Sequence, residues 1–166
     1  MRKYLISLSS LILFFSCIGG KSVPVQFYTL NIKGESPTPV SIVEVRASAK
    51  VHQRFNLENG EKLELREFER WQDSPNRLVE TEMKNYFSLG KDELRCELNE
   101  FVFDVENMQA KISIDFVLRS GAGDQQFRVK SAQSFTELDG ASLVKAMSSA
   151  VHDVFKQLDQ KIIEGK

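Results

Sequence analysis

MQAKISIDFVLRS, residues 108–120, places Met108, Ala110, Ile112, Ile114, Phe116 and Leu118 at every second position, with Lys111, Ser113, Asp115 and Arg119 between them. A side-chain period of two is that of a β-strand with one face on a core and the other in water. Working outward, SGAGD (residues 120–124) supplies a turn, and Phe127, Val129 and Phe135 continue the alternation in a further strand. Upstream, Leu94, Cys96 and Leu98 alternate, but Phe101, Phe103 and Val105 take the opposite parity. Both sets can face one core only if the strand carries an irregularity near Asn99 and Glu100. Three successive strands with short connections pair most simply as an antiparallel meander.

A helix is expected on either side of this meander. Asp139 is a candidate cap for a helix from about Gly140 to Ile163, whose apolar stripe is Leu143, Met147, Ala150, Val151, Val154, Leu158 and Ile162. That spacing suits packing on a sheet. Asp73-Ser74-Pro75 opens a second helix, with Ser74 as the cap and Pro75 at the first helical position. It should run to about Leu89, close at Gly90, and present Leu78, Val79, Met83, Tyr86 and Phe87 on one face. Ahead of it, three extended segments are expected. They are Val25 to Ile32, Val40 to Val45, and Lys62 to Trp71, with the proline-rich GESPTP (34–39) breaking the chain after the first. Val40 to Val45 is apolar on both alternations, as in a strand covered on both faces. In KLELREFERW (62–71) the apolar phase changes, which a bulge near Glu67 would explain. The sum is an α/β chain in β-β-β-α-β-β-β-α order with two main helices.

The start of the chain, RKYLISLSSLILFFSCIGGKS (residues 2–22), has a different character. Two basic residues precede an apolar run from Tyr4 to Phe15, short of the ~20 residues that a helix needs to cross a bilayer. Basic head, short apolar run and small residue before the break are the parts of an export signal. Ser16-Cys17 resembles the end of a bacterial lipobox, where the cysteine thiol is acylated and becomes the first residue of the mature chain. Residues 1–16 are thus expected to be a signal peptide, 17–24 a lipidated cysteine with its tether, and 25–166 one domain. Several acyl chains on Cys17 would hold that domain at a membrane, at ~0.8 kcal/mol per buried methylene.

A formal net charge of −1 argues against nucleic acid as a partner. With Cys17 acylated, Cys96 has no disulfide partner and reads as a small buried hydrophobe. His52 and His152 are the only histidines. Neither has a second ligand at metal spacing, so no metal is expected, and both are expected on the surface in solvent. No phosphate loop, nucleophile elbow or dinucleotide fingerprint occurs, so neither cofactor nor enzymatic activity is expected. Glu67 and Glu69 are spaced for acid–base work, but interleaving with Arg66 and Arg70 favours charge pairing.

At ELREFERWQDSPNRLVETEMKNYF (64–87), a strand ending in Glu-Phe-x-Arg-Trp and a polar-proline link into an amphipathic helix, the chain resembles the ABC-type transport auxiliary lipoprotein family, which includes the paraquat-inducible protein C group. FYTL (27–30) is similar to the family's opening strand, Arg54 falls where the family has an arginine before its third strand, and NEFVFDVENMQAKISIDFVLRS (99–120) is similar to its central hairpin. The resemblance spans Phe27 to Ile162. It implies a three-layer α/β fold with a mixed sheet between or beside the two helices, related to anticodon-binding-like and TolB amino-terminal domains. It further implies a non-catalytic lipoprotein at the periplasmic face of the outer membrane, or of the inner membrane. The implied partners are an MCE-domain protein and the ABC permease and ATPase of a lipid transporter, with assembly into a homo-oligomer left open. Ile18, which is not the aspartate that retains lipoproteins at the inner membrane of enteric bacteria, favours the outer membrane. Phe68, Arg70 and Trp71 are the interface candidates, because aromatic and arginine side chains concentrate binding energy; the alternative is that Trp71 covers the start of the first helix. The competing function is an outer-membrane assembly lipoprotein resembling the plug of the lipopolysaccharide translocon.

Overall fold

In the computed structural model, which describes residues 23–164, seven strands and two helices follow one another. They are β1 (Gln26–Tyr28), β2 (Ser36–Ala47), β3 (Arg54–Asn59), β4 (Lys62–Trp71), α1 (Pro75–Tyr86), β5 (Phe87–Asp104), β6 (Gln109–Ser120), β7 (Gly123–Ser134) and α2 (Gly140–Glu164). The expected signal segment, Cys17 and most of the tether lie outside the described residues.

The meander is as the alternation requires. β6 pairs antiparallel with β5 on one side and β7 on the other, with Ile114 opposite Leu98 and Val129, and Phe116 opposite Cys96 and Phe127. The irregularity in β5 falls where the parity change demands it: Leu98 faces Ile114, Glu100 faces Ser113, and Asn99 is the extra residue. The bulge lets Phe101 and Phe103 join Leu94, Cys96 and Leu98 on the buried face.

The other long edge of β5 is shared. β2 runs parallel to its first half, from Ser36 opposite Phe87 to Ala47 opposite Leu98. β3 then runs parallel to its end, Leu57 opposite Phe103. β4 pairs antiparallel with β3, and β1 adds to β4 in parallel, giving a mixed open sheet. β3 is a strand more than the sequence indicates. RFNLEN (54–59) offers only Phe55 and Leu57 as apolar alternation, and its buried Asn56 hides the pattern.

Both helices lie against one sheet face. α1 packs on β2 and β5, α2 on β6 and β7, and the two meet where Tyr86 approaches Phe155 at 5.3 Å between ring centroids. The opposite face carries Glu93, Arg95, Glu97, Asp115 and Arg128, so the sheet stands beside its helices and the layers number two rather than three. β2 is accordingly covered on one face only: Val40, Ile42 and Val45 are buried while Val43 is 40% exposed. It also begins at Ser36 and includes Pro37 and Pro39, which an edge strand tolerates.

The predicted stripe of α2 is wholly buried, and Asp139 Oδ1 accepts from the N–H groups of Ala141 (2.9 Å) and Ser142 (3.1 Å). α1 departs from expectation at both ends. Ser74 occupies the cap position without a side-chain cap bond, while its carbonyl accepts from the N–H of Arg77 and Leu78. The helix stops at Tyr86, because Phe87 is already extended and Gly90 lies within β5. A Cβ on Gly90 would overlap the carbonyl of Pro39 and the nitrogen of Val40, so glycine is what lets β2 approach so closely.

Candidate docking surface at the β1–β4 edge

Between Asn56 opposite Leu65 and Arg54 opposite Arg70, two residues of β3 span five of β4. This is the bulge that the phase change near Glu67 anticipates, and it resets the end of β4. Glu69 and Trp71 turn toward the helices; Phe68 and Arg70 turn to the open face.

Trp71 is 1% exposed. Its ring lies 4.7 Å from Phe55, 5.2 Å from Phe101 and 6.2 Å from Phe103, and its main chain is held by bonds from its N–H to the Gln53 carbonyl and from the Gln53 side-chain amide to its own carbonyl. The indole is therefore core, and of the three interface candidates it is the one that presents no surface. Glu69 is ion-paired with Arg66 at 2.7 Å, and Arg66 also donates to the Leu138 carbonyl, so the ELREFER carboxylate that faces the helices serves pairing.

Phe68 is 40% exposed, and Phe27, which pairs with Arg70 across the β1–β4 ladder, is 62% exposed. Arg70 is half-buried between them. Its Nε is buried without an acceptor, and it makes no ion pair among the described residues. Its cross-strand partner on the other side is Arg54, equally without a carboxylate. Like charges directly opposite one another in a sheet repel. The strand register thus sets two guanidinium groups without ion pairs side by side, one of them next to two exposed phenyl rings, chemistry that an acidic surface with an apolar rim would complement. Sequence reading names Phe68 and Arg70; it misses Phe27 and the pairing of Arg54, which depend on the parallel β1–β4 ladder and on β3.

Cys96 is buried, and burial pushes its thiol well above the usual range. Neither histidine is fully solvated. His52 is half-buried, and His152 packs edge-on to Tyr86 at 5.8 Å, where burial and then Lys156 lower its pKa. No group of three His, Cys, Asp or Glu side chains that could hold a metal ion occurs among the described residues, and no helix among them is long and apolar enough to cross a membrane.

Over the described residues the chain is thus a mixed α/β protein with a seven-strand open sheet and two helices. No protein-family model and no curated protein sequence matches it. Solved structures share the fold. One, an uncharacterized protein, is 8% identical with a TM-score of 0.70, over 84% of this chain and 99% of that one. Another, protein XCC0632 from Xanthomonas campestris, of the DUF330 family, is 12% identical with a TM-score of 0.64, over 85% of this chain and all of that one.

Proposed function

We propose that the chain is a non-catalytic, lipid-anchored periplasmic protein, an auxiliary component of an ABC/MCE-type system that moves lipid between the inner and outer membranes. Acyl chains on Cys17 hold it at the outer membrane, and the sheet edge next to the tether receives the MCE-domain partner. The export signal and lipobox, the resemblance to the auxiliary lipoprotein family, and a fold shared with a DUF330 protein support this reading. The observation that carries it is the Arg54–Arg70 pair, unpaired with acid and flanked by Phe27 and Phe68, on strands close to where the tether joins the domain.

The test is recovery of partners from native-host membranes with the wild-type chain and with the variant Arg54→Gln/Arg70→Gln/Phe68→Ser. An MCE-domain protein should come down with the wild type and be lost from the variant, at equal thermal stability. Recovery of an outer-membrane barrel instead supports the translocon-plug alternative.

A further inference from the structure

We propose that the groove between the β1–β2 connection and the first half of α2 binds a phosphate ester. The groove encloses about 630 Å³, within the range of small-molecule sites. β1 and the connection after it approach the helices at three places. The Tyr28 hydroxyl sits where only a residue without Cβ, Gly140, leaves room for it. The Asn31 N–H donates to Ser148 Oγ at 3.2 Å. Gly34 passes near Tyr86 and His152, with room for a Cβ between. Between these points the small residues of α2 keep the walls apart, and the Tyr28 ring, Ala141 and Val144 make one side apolar.

Lys33 from the connection and Lys145 from α2 line the groove, with Ser149 and His152 as further polar groups. Neither lysine has an ion pair among the described residues. None of the nearby carboxylates is ion-paired with either lysine among the described residues, and Glu82 accepts from the Ile32 N–H. Glu69 binds Arg66, Asp139 accepts from the first N–H groups of α2, Asp153 accepts from the Gln157 amide, and Asp159 accepts from the Thr38 hydroxyl. Lys156 and Asp153 both act on His152, in opposite directions. Two unneutralised ammonium groups, hydroxyl and imidazole donors, and an apolar wall suit an anion of high charge density attached to carbon. Phosphate oxygens would lie between Lys33 and Lys145, and the organic part would lie on Val144 and the Tyr28 ring. This chemistry belongs to soluble phosphate esters and to phospholipid head groups. The groove is on the helix side of the sheet, away from Phe68 and Arg70, so the inference stands or falls separately from the partner proposed above.

Full-length protein would be titrated calorimetrically with glycerol phosphate, with glycerol, and with dihexanoyl phosphatidylglycerol below its micelle concentration. Binding of a phosphate ligand but not glycerol is expected. Lys33→Gln/Lys145→Gln should weaken it at least about tenfold, since hydrogen bonds to charged groups are the strong ones. Lys62→Gln/Lys91→Gln, the same change of net charge elsewhere, should leave it unaltered. Equal affinity for both phosphate ligands identifies a soluble ester as the occupant, and tighter binding of the lipid identifies a head group. No heat with either phosphate ligand, or equal affinity in the wild type and the Lys33→Gln/Lys145→Gln variant, overturns the proposal.

Discussion

Adjacent residues 70 and 71 have opposite fates, and substitution separates them. Trp71 fills the space between Phe55, Phe101 and Phe103, so Trp71→Ala should cost about 3–5 kcal/mol in urea unfolding, the range for a large core aromatic. Arg70→Gln removes a half-buried charge whose Nε lacks an acceptor and should leave stability within about 0.5 kcal/mol of the wild type, while reducing partner recovery. Phe68, Arg70 and Trp71 are equally plausible contacts when read from FERW alone; only strand alternation divides them into surface and core.

Asp104, at the end of β5, gives a pH-dependent term. The Lys111 ammonium beside it, with the backbone N–H (2.9 Å) and side-chain amide (2.8 Å) of Asn107, holds its carboxyl down at about 2. A carboxyl with a depressed folded-state pKa stabilises the fold above its unfolded value of ~3.8 and loses that contribution as pH falls toward 2. Lys111 keeps 31% of its side chain exposed, so solvent screening limits the contribution to about 1–2 kcal/mol. Chemical denaturation between about pH 6 and about pH 2 should show Asp104→Asn less stable than the wild type at the upper end. The two curves should converge at the lower end; parallel curves would remove Asp104 from the account of acid stability.

At the scale of elements, Gly90 shows why the end of α1 is hard to read. FSLG (87–90) continues a helical pattern with a glycine stop, yet Leu89 is 88% exposed and the segment is strand, because β2 lies across Gly90 with no room for a side chain. Gly90→Ala should destabilise by about 1–3 kcal/mol, the cost of overpacking where the neighbour is backbone. It should also speed amide exchange in β2. Gly121→Ala, at a turn position with open space around it, should do neither. The meander and both helices were legible because Ile112, Ile114, Phe116 and the α2 stripe repeat at one period over many residues. β3 is not, since this six-residue strand, paired on both sides, buries Asn56 and keeps only two apolar markers; that pairing is non-local and leaves no trace in RFNLEN itself. The groove beside α2 was equally hidden, as Lys33 and Lys145 are brought together by the crossing of a loop and a helix far apart in sequence.

In the whole molecule, the two faces of the sheet divide the work of folding from that of display. The helix face holds the apolar side chains from Leu30 to Ile162, while the open face pairs some of its charges, as in Asp115 with Arg128 and Glu44 with Arg46, and leaves Arg54 and Arg70 without an ion pair among the described residues. Leu30 is the first residue of the core, whereas Val23, Val25 and Phe27 are exposed, and β1 adds three residues to the sheet edge. The described residues ahead of β1, Val23 to Val25, therefore contribute little to the stability of the domain, and an anchor attached ahead of them is expected to be removable without unfolding it. Cys17→Ala, expressed in the native host, should move the protein from the membrane pellet to the soluble fraction and abolish any acyl mass increment. Its melting temperature should stay within about 1 °C of the acylated protein's, since the core from Leu30 to Ile162 keeps every side chain. A wild-type chain that carries an unmodified thiol and pellets no more than the variant would detach the domain from the membrane and leave the Arg54–Arg70 edge to a partner in solution.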